Sequence, residues 1–229
     1  MVIYSIINIK KINEKNNFYF YIKSKKFKKN KMSEITPDIV REYNEFTPKF
    51  LCGLDANTYN IKFKKFKMRD LESDFVLFEV SDDSPDDSNN SIEKKEEEEK
   101  KETINYEDED ILTSPRSIRY HLGPDFLELK DLGSSLTFSV GNQAVKDFLI
   151  IERHYFNDLL IKSFEFKFDF CIPNSVNTWE YIYTIPEIDP NIKKDMINQP
   201  WNTRSDSFYF VGDKLIMHNK ALYNYSPLN

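Results

Sequence analysis

Three histidines, two cysteines and one Glu-x-His pair are the residues of this chain whose types could carry acid–base, nucleophilic or metal chemistry. His121, His154 and His218 share no spacing typical of zinc or iron ligands. Cys52 and Cys171 form no Cys-x-x-Cys pair and no disulfide framework, which fits a reducing compartment. No Gly-x-Ser-x-Gly elbow offers an activated nucleophile. Glu152 and His154 follow an apolar run with Arg153 between them. In a strand those two would share a face and Arg153 would take the other. They could serve as acid and base, but no other residue pattern specifies a substrate site. The expectation is a binding protein, with no catalytic residue, metal or cofactor.

The stretch that must position this pair runs from Leu149 to Pro173. Phe164, Phe166, Phe168 and Phe170 occupy alternate positions, with Glu165, Lys167 and Asp169 between them. A period of two predicts a strand with one aromatic and one solvated face, as in an antiparallel sheet covered on one side. Upstream, Ile35 to Phe50 reads as a helix with Thr36 as N-cap, Pro37 at the first position and Asp38 in the first turn. Tyr59, Ile61 and Phe63 alternate, and the parity then shifts to Phe66 and Met68, which predicts a bulge. Phe75 to Val80 completes a hairpin. Downstream, Ile118, Tyr120 and Leu122, then Leu127 and Leu129, then Leu136, Phe138 and Val140 read as strands. Gly123-Pro124, Asp131-Leu132-Gly133 and Gly141-Asn142 read as the turns between them. Trp179, Tyr181 and Tyr183 share a strand face, and Asp189-Pro190 opens a short helix. Gly212-Asp213 joins a last hairpin whose final strand carries Leu215, Met217 and Tyr223 on one face.

Two stretches fall outside this pattern. Residues 1–33 read as a disordered tail with a lysine cluster from Lys23 to Lys31, and Met32 reads as a plausible start of the folded part. Residues 81–115 read as a disordered acidic insert in a domain spanning 34–229, with four consecutive glutamates from Glu96. With 229 residues the chain can bury one substantial core. Its 5 glycines leave no Gly-rich phosphate loop, and a net charge of -6 argues against a general nucleic-acid binder. No apolar run reaches the ~18–20 residues of a membrane span. The expected fold class is therefore all-β, an antiparallel β-sandwich with two short helices.

Phenylalanine supplies 19 residues and aromatics 15% of the chain. Such a surplus fills a packed core or lines an apolar cavity between the sheets. Periodicity does not separate the two, because a cavity wall and a core face alternate alike.

Several motifs carry a resemblance. IIERHYF, SFEFKFDFCIPNS, SDSFYFV and LIMHNKALYNYS, with FKMRDLES, VLFEV and IRYHLGPDFLELKDLGSSLTFSVG, occur in order between about Ile35 and Tyr225. They resemble the uncoordinated one-nineteen proteins, the myristoyl-binding branch of the GMP phosphodiesterase delta-subunit superfamily. The resemblance implies an immunoglobulin-like sandwich with a deep apolar pocket between its sheets. It implies a carrier of N-myristoylated cargo such as G-protein alpha subunits, Src-type kinases and ciliary proteins. It further implies release by GTP-bound Arf-like small G proteins, transient membrane contact, and a cytoplasmic and ciliary location. Tyr120, Glu152 and His154 match family positions at the acyl-peptide ligand. Phe126, Phe164, Phe166, Tyr183, Tyr209 and Met217 fall in its wall segments. Prenylated cargo, as in the sister branch, and a non-lipid adaptor role are the alternatives. The chain departs from the pattern in its lysine-rich tail, its acidic insert, and Trp179 where a small residue is usual.

Overall fold

A computed structural model describes residues 34–82 and 110–228. The lysine-rich tail and most of the acidic insert lie outside the described residues. The alternating segments become nine strands among the described residues. They are β1 (Lys62–Asp70), β2 (Val76–Ser81), β3 (Ser117–His121), β4 (Asp131–Ser139), β5 (Val145–Phe156), β6 (Leu159–Cys171), β7 (Val176–Thr184), β8 (Thr203–Val211) and β9 (Lys214–Asn224). Four form one sheet in the order β2-β1-β4-β7, and five form the other in the order β3-β9-β8-β5-β6. The architecture is an all-β sandwich. Its pairings are antiparallel except β3 with β9, which run parallel. β3 and β9 are separated by β4 to β8, which gives the chain the long connection a parallel pair needs.

The core follows the period-two faces. Leu136 and Phe138 of β4 meet Phe148 and Ile150 of β5 between the sheets. The predicted bulge in β1 is present, between Phe63 and Lys65 against β4. β6 and β7 pack aromatic against aromatic along the edge they share. Phe166 lies 4.2 Å from Tyr181 and 5.0 Å from Tyr183 between ring centroids, and Phe168 lies 5.5 Å from Trp179. This seam closes one side of the sandwich. Phe170 continues the alternation but is 49% exposed.

Five expectations differ. The helix ends early: α1 spans Pro37–Arg41, and Thr36 makes no side-chain cap. Residues 42–53 instead form a strap over the outer face of the five-stranded sheet, because side chains of that sheet take the strap's backbone groups. Arg153 donates to the Tyr43 carbonyl at 2.9 Å, Arg116 to that of Cys52 at 2.7 Å, and Lys220 to that of Thr47 at 2.6 Å. The Thr47 amide donates to Asp206 and the Leu51 amide to Nδ1 of His218. Leu127 and Leu129 are not a strand. Gly123, at φ +76°, and Pro124 open a 3-10 turn, Pro124–Glu128. Asp131-Leu132-Gly133 lies inside β4 rather than in a turn. A Cβ at Gly133 would stand 2.7 Å from the end of the Leu71 side chain, which would have to turn aside. Leu215 does not share a face with Met217. A bulge opposite Tyr209/Phe210 puts Leu215 in the outer cluster under α1, while Met217 stays between the sheets. The insert is narrower than predicted, since Ser81 still belongs to β2 and Asp110 caps a turn leading to β3. The second helix, α2 (Pro190–Asn198), forms as expected, with Asp189 accepting from the Asn191 amide. No helix among the described residues is long and apolar enough to cross a membrane.

The strap covers a fully buried polar centre. Asp206 and Lys220 pair at 2.5 Å, and His218 Nε2 lies 3.0 Å from the same carboxylate oxygen. The Leu51 amide is a donor, so Nδ1 accepts and Nε2–H donates to Asp206. Burial pulls Lys220 down to about 8 and His218 down to about 4, with Asp206 opposing both shifts. Removing one member strands the other's charge. Asp206→Ala should therefore destabilise the fold by about 3–5 kcal/mol in denaturant melts. The pH dependence has a definite sign. Between about pH 6.5 and 4 the unfolded chain holds a proton on His218 that the folded chain refuses. Stability should fall as pH drops through that window, and His218→Gln should flatten the slope of melting temperature against pH.

Candidate functional site

The sheets do not meet everywhere. On the side away from the aromatic seam, Phe78 of β2 and Tyr120 of β3 are in ring contact at 5.4 Å among the described residues. Between them and the core lies a cavity of about 500 Å³. That is within the ~300–1,000 Å³ of small-molecule sites. Both sheets supply its wall. Phe66 and Met68 come from β1, Leu132 and Leu136 from β4, Ile150 from β5 and Met217 and Ala221 from β9. Phe126 of the 3-10 turn and Met196 of α2 extend the lining.

A polar pair enters this largely apolar wall from β5. Ile150, Glu152 and His154 line the cavity by strict alternation, while Arg153 turns to the strap as its parity predicts. Glu152 is 14% exposed and accepts a 2.8 Å hydrogen bond from the Tyr183 hydroxyl. His154 Nε2 lies 3.5 Å from the same carboxylate oxygen and has no hydrogen-bond partner. Tyrosines ring this carboxylate. Burial above all, and then the charge of Glu152, pushes the phenols of Tyr120, Tyr181, Tyr183 and Tyr209 up. Tyr223 is raised by burial, by Tyr120 and, more weakly, by Glu152. The phenols stay neutral at pH 7, so this end of the cavity has hydroxyl groups around one carboxylate. Tyr120 stacks on Tyr223 with ring centroids 5.4 Å apart, and the Tyr223 hydroxyl lies 3.0 Å from that of Ser205.

Eight residues singled out in the sequence lie on this wall: Tyr120, Phe126, Glu152, His154, Phe164, Tyr183, Tyr209 and Met217. Phe166 does not. It is wedged into the aromatic seam beside Tyr181, Trp179 and Tyr183, one layer behind the lining. The pattern also passed over Tyr181, Phe78 and Ala221. Tyr181 could have been found from its shared parity with Tyr183, but nothing in the sequence aims Phe78 at Tyr120. The other chemistry-bearing residues are dispersed. His121 Nε2 lies 3.0 Å from the Ser226 carbonyl, and His218 is under the strap. Cys52 and Cys171 are buried thiols, each pushed up to about 11 by burial.

Residues 55–225 match the family model for GMP-PDE, delta subunit. The chain is 43% identical over 198 residues to the Protein unc-119 homolog of Drosophila melanogaster, covering 86% of this chain and 75% of that protein. It is 45% identical over 193 residues to Protein unc-119 of Caenorhabditis elegans, covering 84% and 80%. To Protein unc-119 homolog B of Homo sapiens it is 42% identical over 200 residues, covering 85% and 73%.

Ala221 is the smallest side chain that β9 sets in the cavity wall. Ala221→Trp should occupy the cavity with little change in melting temperature. An apolar fluorescent probe that enters the native cavity should then lose most of its binding, as titration of the probe would read out.

Proposed function

The chain belongs to the GMP-PDE delta-subunit family, among the unc-119 proteins, and from that premise we propose that it is a lipid-cargo carrier rather than an enzyme. It takes the acyl chain of an N-myristoylated protein into the cavity between its sheets and holds the first peptide residues at the mouth. The observation that carries this reading is the apolar cavity of about 500 Å³ with Glu152 and His154 set together in its wall. An apolar tunnel with one polar station suits a ligand that is greasy along its length and polar at its end.

The energetics give the carrier a mechanism. Burying a methylene is worth ~0.8 kcal/mol in a bilayer or in a protein pocket. Transfer of the chain between membrane and cavity is therefore close to balance. Contacts that only the protein offers, from Tyr120, Glu152 and His154 to the attached peptide, tip it toward the carrier. Such contacts also confine binding to acylated peptide rather than to any apolar molecule. Delivery then needs a partner that binds the carrier more tightly in a state with weakened cargo contacts. A GTP-bound Arf-like small G protein fits that role. G-protein alpha subunits, Src-type kinases and ciliary proteins are the proposed cargo, moved through the cytoplasm toward membranes that include the cilium.

Fluorescence polarisation with one peptide in three forms tests the proposal. The N-myristoylated form should bind, and the unmodified form should not. Tyr120→Ala should weaken binding about tenfold or more and, because it also removes the ring contacts to Phe78 and Tyr223, lower the melting temperature while leaving the chain folded. Preference for a C-terminally farnesylated form would move the chain to prenylated cargo. Binding without lipid dependence would favour an adaptor.

A further inference from the structure

We infer that a frame of four aromatic rings, Phe63, Phe138, Phe148 and Tyr209, floors the cavity and sets the length of acyl chain it accepts. The inference rests on the lipid-carrier reading and goes beyond it by naming the residues that select among acyl chains. On β4 and β5 the lining stops at one level. Leu136 and Ile150 line the cavity, while the next inward positions, Phe138 and Phe148, do not and are both 0% exposed. Their rings meet from sheet to sheet with centroids 5.6 Å apart. Beside them Phe63 of β1 meets Tyr209 of β8 at 5.3 Å, again across the sandwich. Phe63 and Phe138 are register partners in one sheet, and Phe148 stacks on Tyr209 at 6.4 Å in the other. The frame is therefore closed, and it ties four strands of the two sheets together at the level where the hollow ends.

The frame is also backed. Behind it Phe148 packs on Trp179 at 6.3 Å, and Phe138 takes Phe168 edge-on at 5.8 Å. A core packed in this way does not admit a further methylene without strain. Along β5 the frame lies four residues beyond Glu152, a step of about 13 Å at the rise of a strand. A chain anchored by its polar end near Glu152 thus runs toward a fixed barrier rather than into a yielding core. Each methylene that fits above the frame is fully buried and should raise affinity about fourfold. Each one beyond must bend back on the chain or push a packed ring aside, and gains little. A bilayer has no such floor, so chains longer than the break are left to the membrane. The four rings turn an apolar hollow, which any chain of methylenes can use, into one that measures.

A ladder of peptides tests this. One peptide beginning with glycine is N-acylated with straight saturated chains from decanoyl to stearoyl. Each competes with a bound fluorescent acyl probe on the full chain, below its critical micelle concentration. On the native chain affinity should climb about fourfold per methylene and then level off or fall. Phe148→Val lowers the floor and should move that break about two carbons toward longer chains, at a cost in melting temperature from the hole it leaves. Ile150→Phe raises the floor by placing a ring in the hollow just above the frame, and should move the break toward shorter chains. This second variant removes no packing from the frame, so it tests the floor even where Phe148→Val does not fold. A steady climb through the whole ladder on the native chain would overturn the floor, and so would a break that stays put in Ile150→Phe. Either result leaves the carrier reading standing, because acyl peptides still bind. If no acyl peptide competes, the carrier reading falls and the floor with it.

Discussion

The buried contact between Asp206 and Lys220 is the constraint on which the rest of this sandwich depends. A carboxylate and an ammonium with no exposed side-chain surface are tolerated only when their remaining hydrogen-bonding capacity is met. The strap meets it, with the Thr47 amide on Asp206 and the Thr47 carbonyl on Lys220. Because β8 and β9 alternate, committing Asp206, His218 and Lys220 to the outer face sends Ser205, Ser207, Tyr209, Met217, Asn219 and Ala221 inward. The polar centre outside thus sets which side chains face the opposite sheet. A sheet whose outer face is fixed by ionic contacts can leave space on its inner face without losing its register.

The space is left on one side only. Between β6 and β7 the aromatic rings interlock and the two sheets are sealed together. Between β2 and β3 one ring contact spans the gap among the described residues. Rings from one edge cannot fill a volume that both sheets leave open, so the same aromatic composition makes a solid seam on one flank and a hollow wall on the other. The 3-10 turn Pro124–Glu128 and α2 contribute to the lining without closing the hollow.

Within the hollow the division of labour is chemical. Aliphatic and aromatic side chains supply length and apolar surface, which any chain of methylenes can use. The cluster of Glu152, His154 and the tyrosine hydroxyls supplies direction, because its hydrogen-bonding groups must be matched by whatever enters. A wall of this kind separates how strongly a ligand is held from which ligand is held.

Much of this was legible in the residues. Phe164, Phe166 and Phe168 announce a half-buried strand, the parity shift at Phe66 announces the β1 bulge, and Gly212-Asp213 announces the last hairpin, because these depend on neighbours close along the chain. The opposed facing of Arg153 to Glu152 and His154 follows from the same period of two. Other features were settled only by tertiary contact. Ile35 to Phe50 has helical cues, but Arg153, Asp206 and Lys220, more than a hundred residues away, take its backbone groups and hold an irregular strap. Gly133 reads as a turn residue but lies within β4, beside the Leu71 side chain. Phe164 and Phe166 are alike in sequence, yet one lines the cavity and the other fills the seam. Periodicity determined which face of each strand is apolar. Whether that face meets a packed neighbour or a void depends on the separation of two sheets, and that distance belongs to no single stretch of chain.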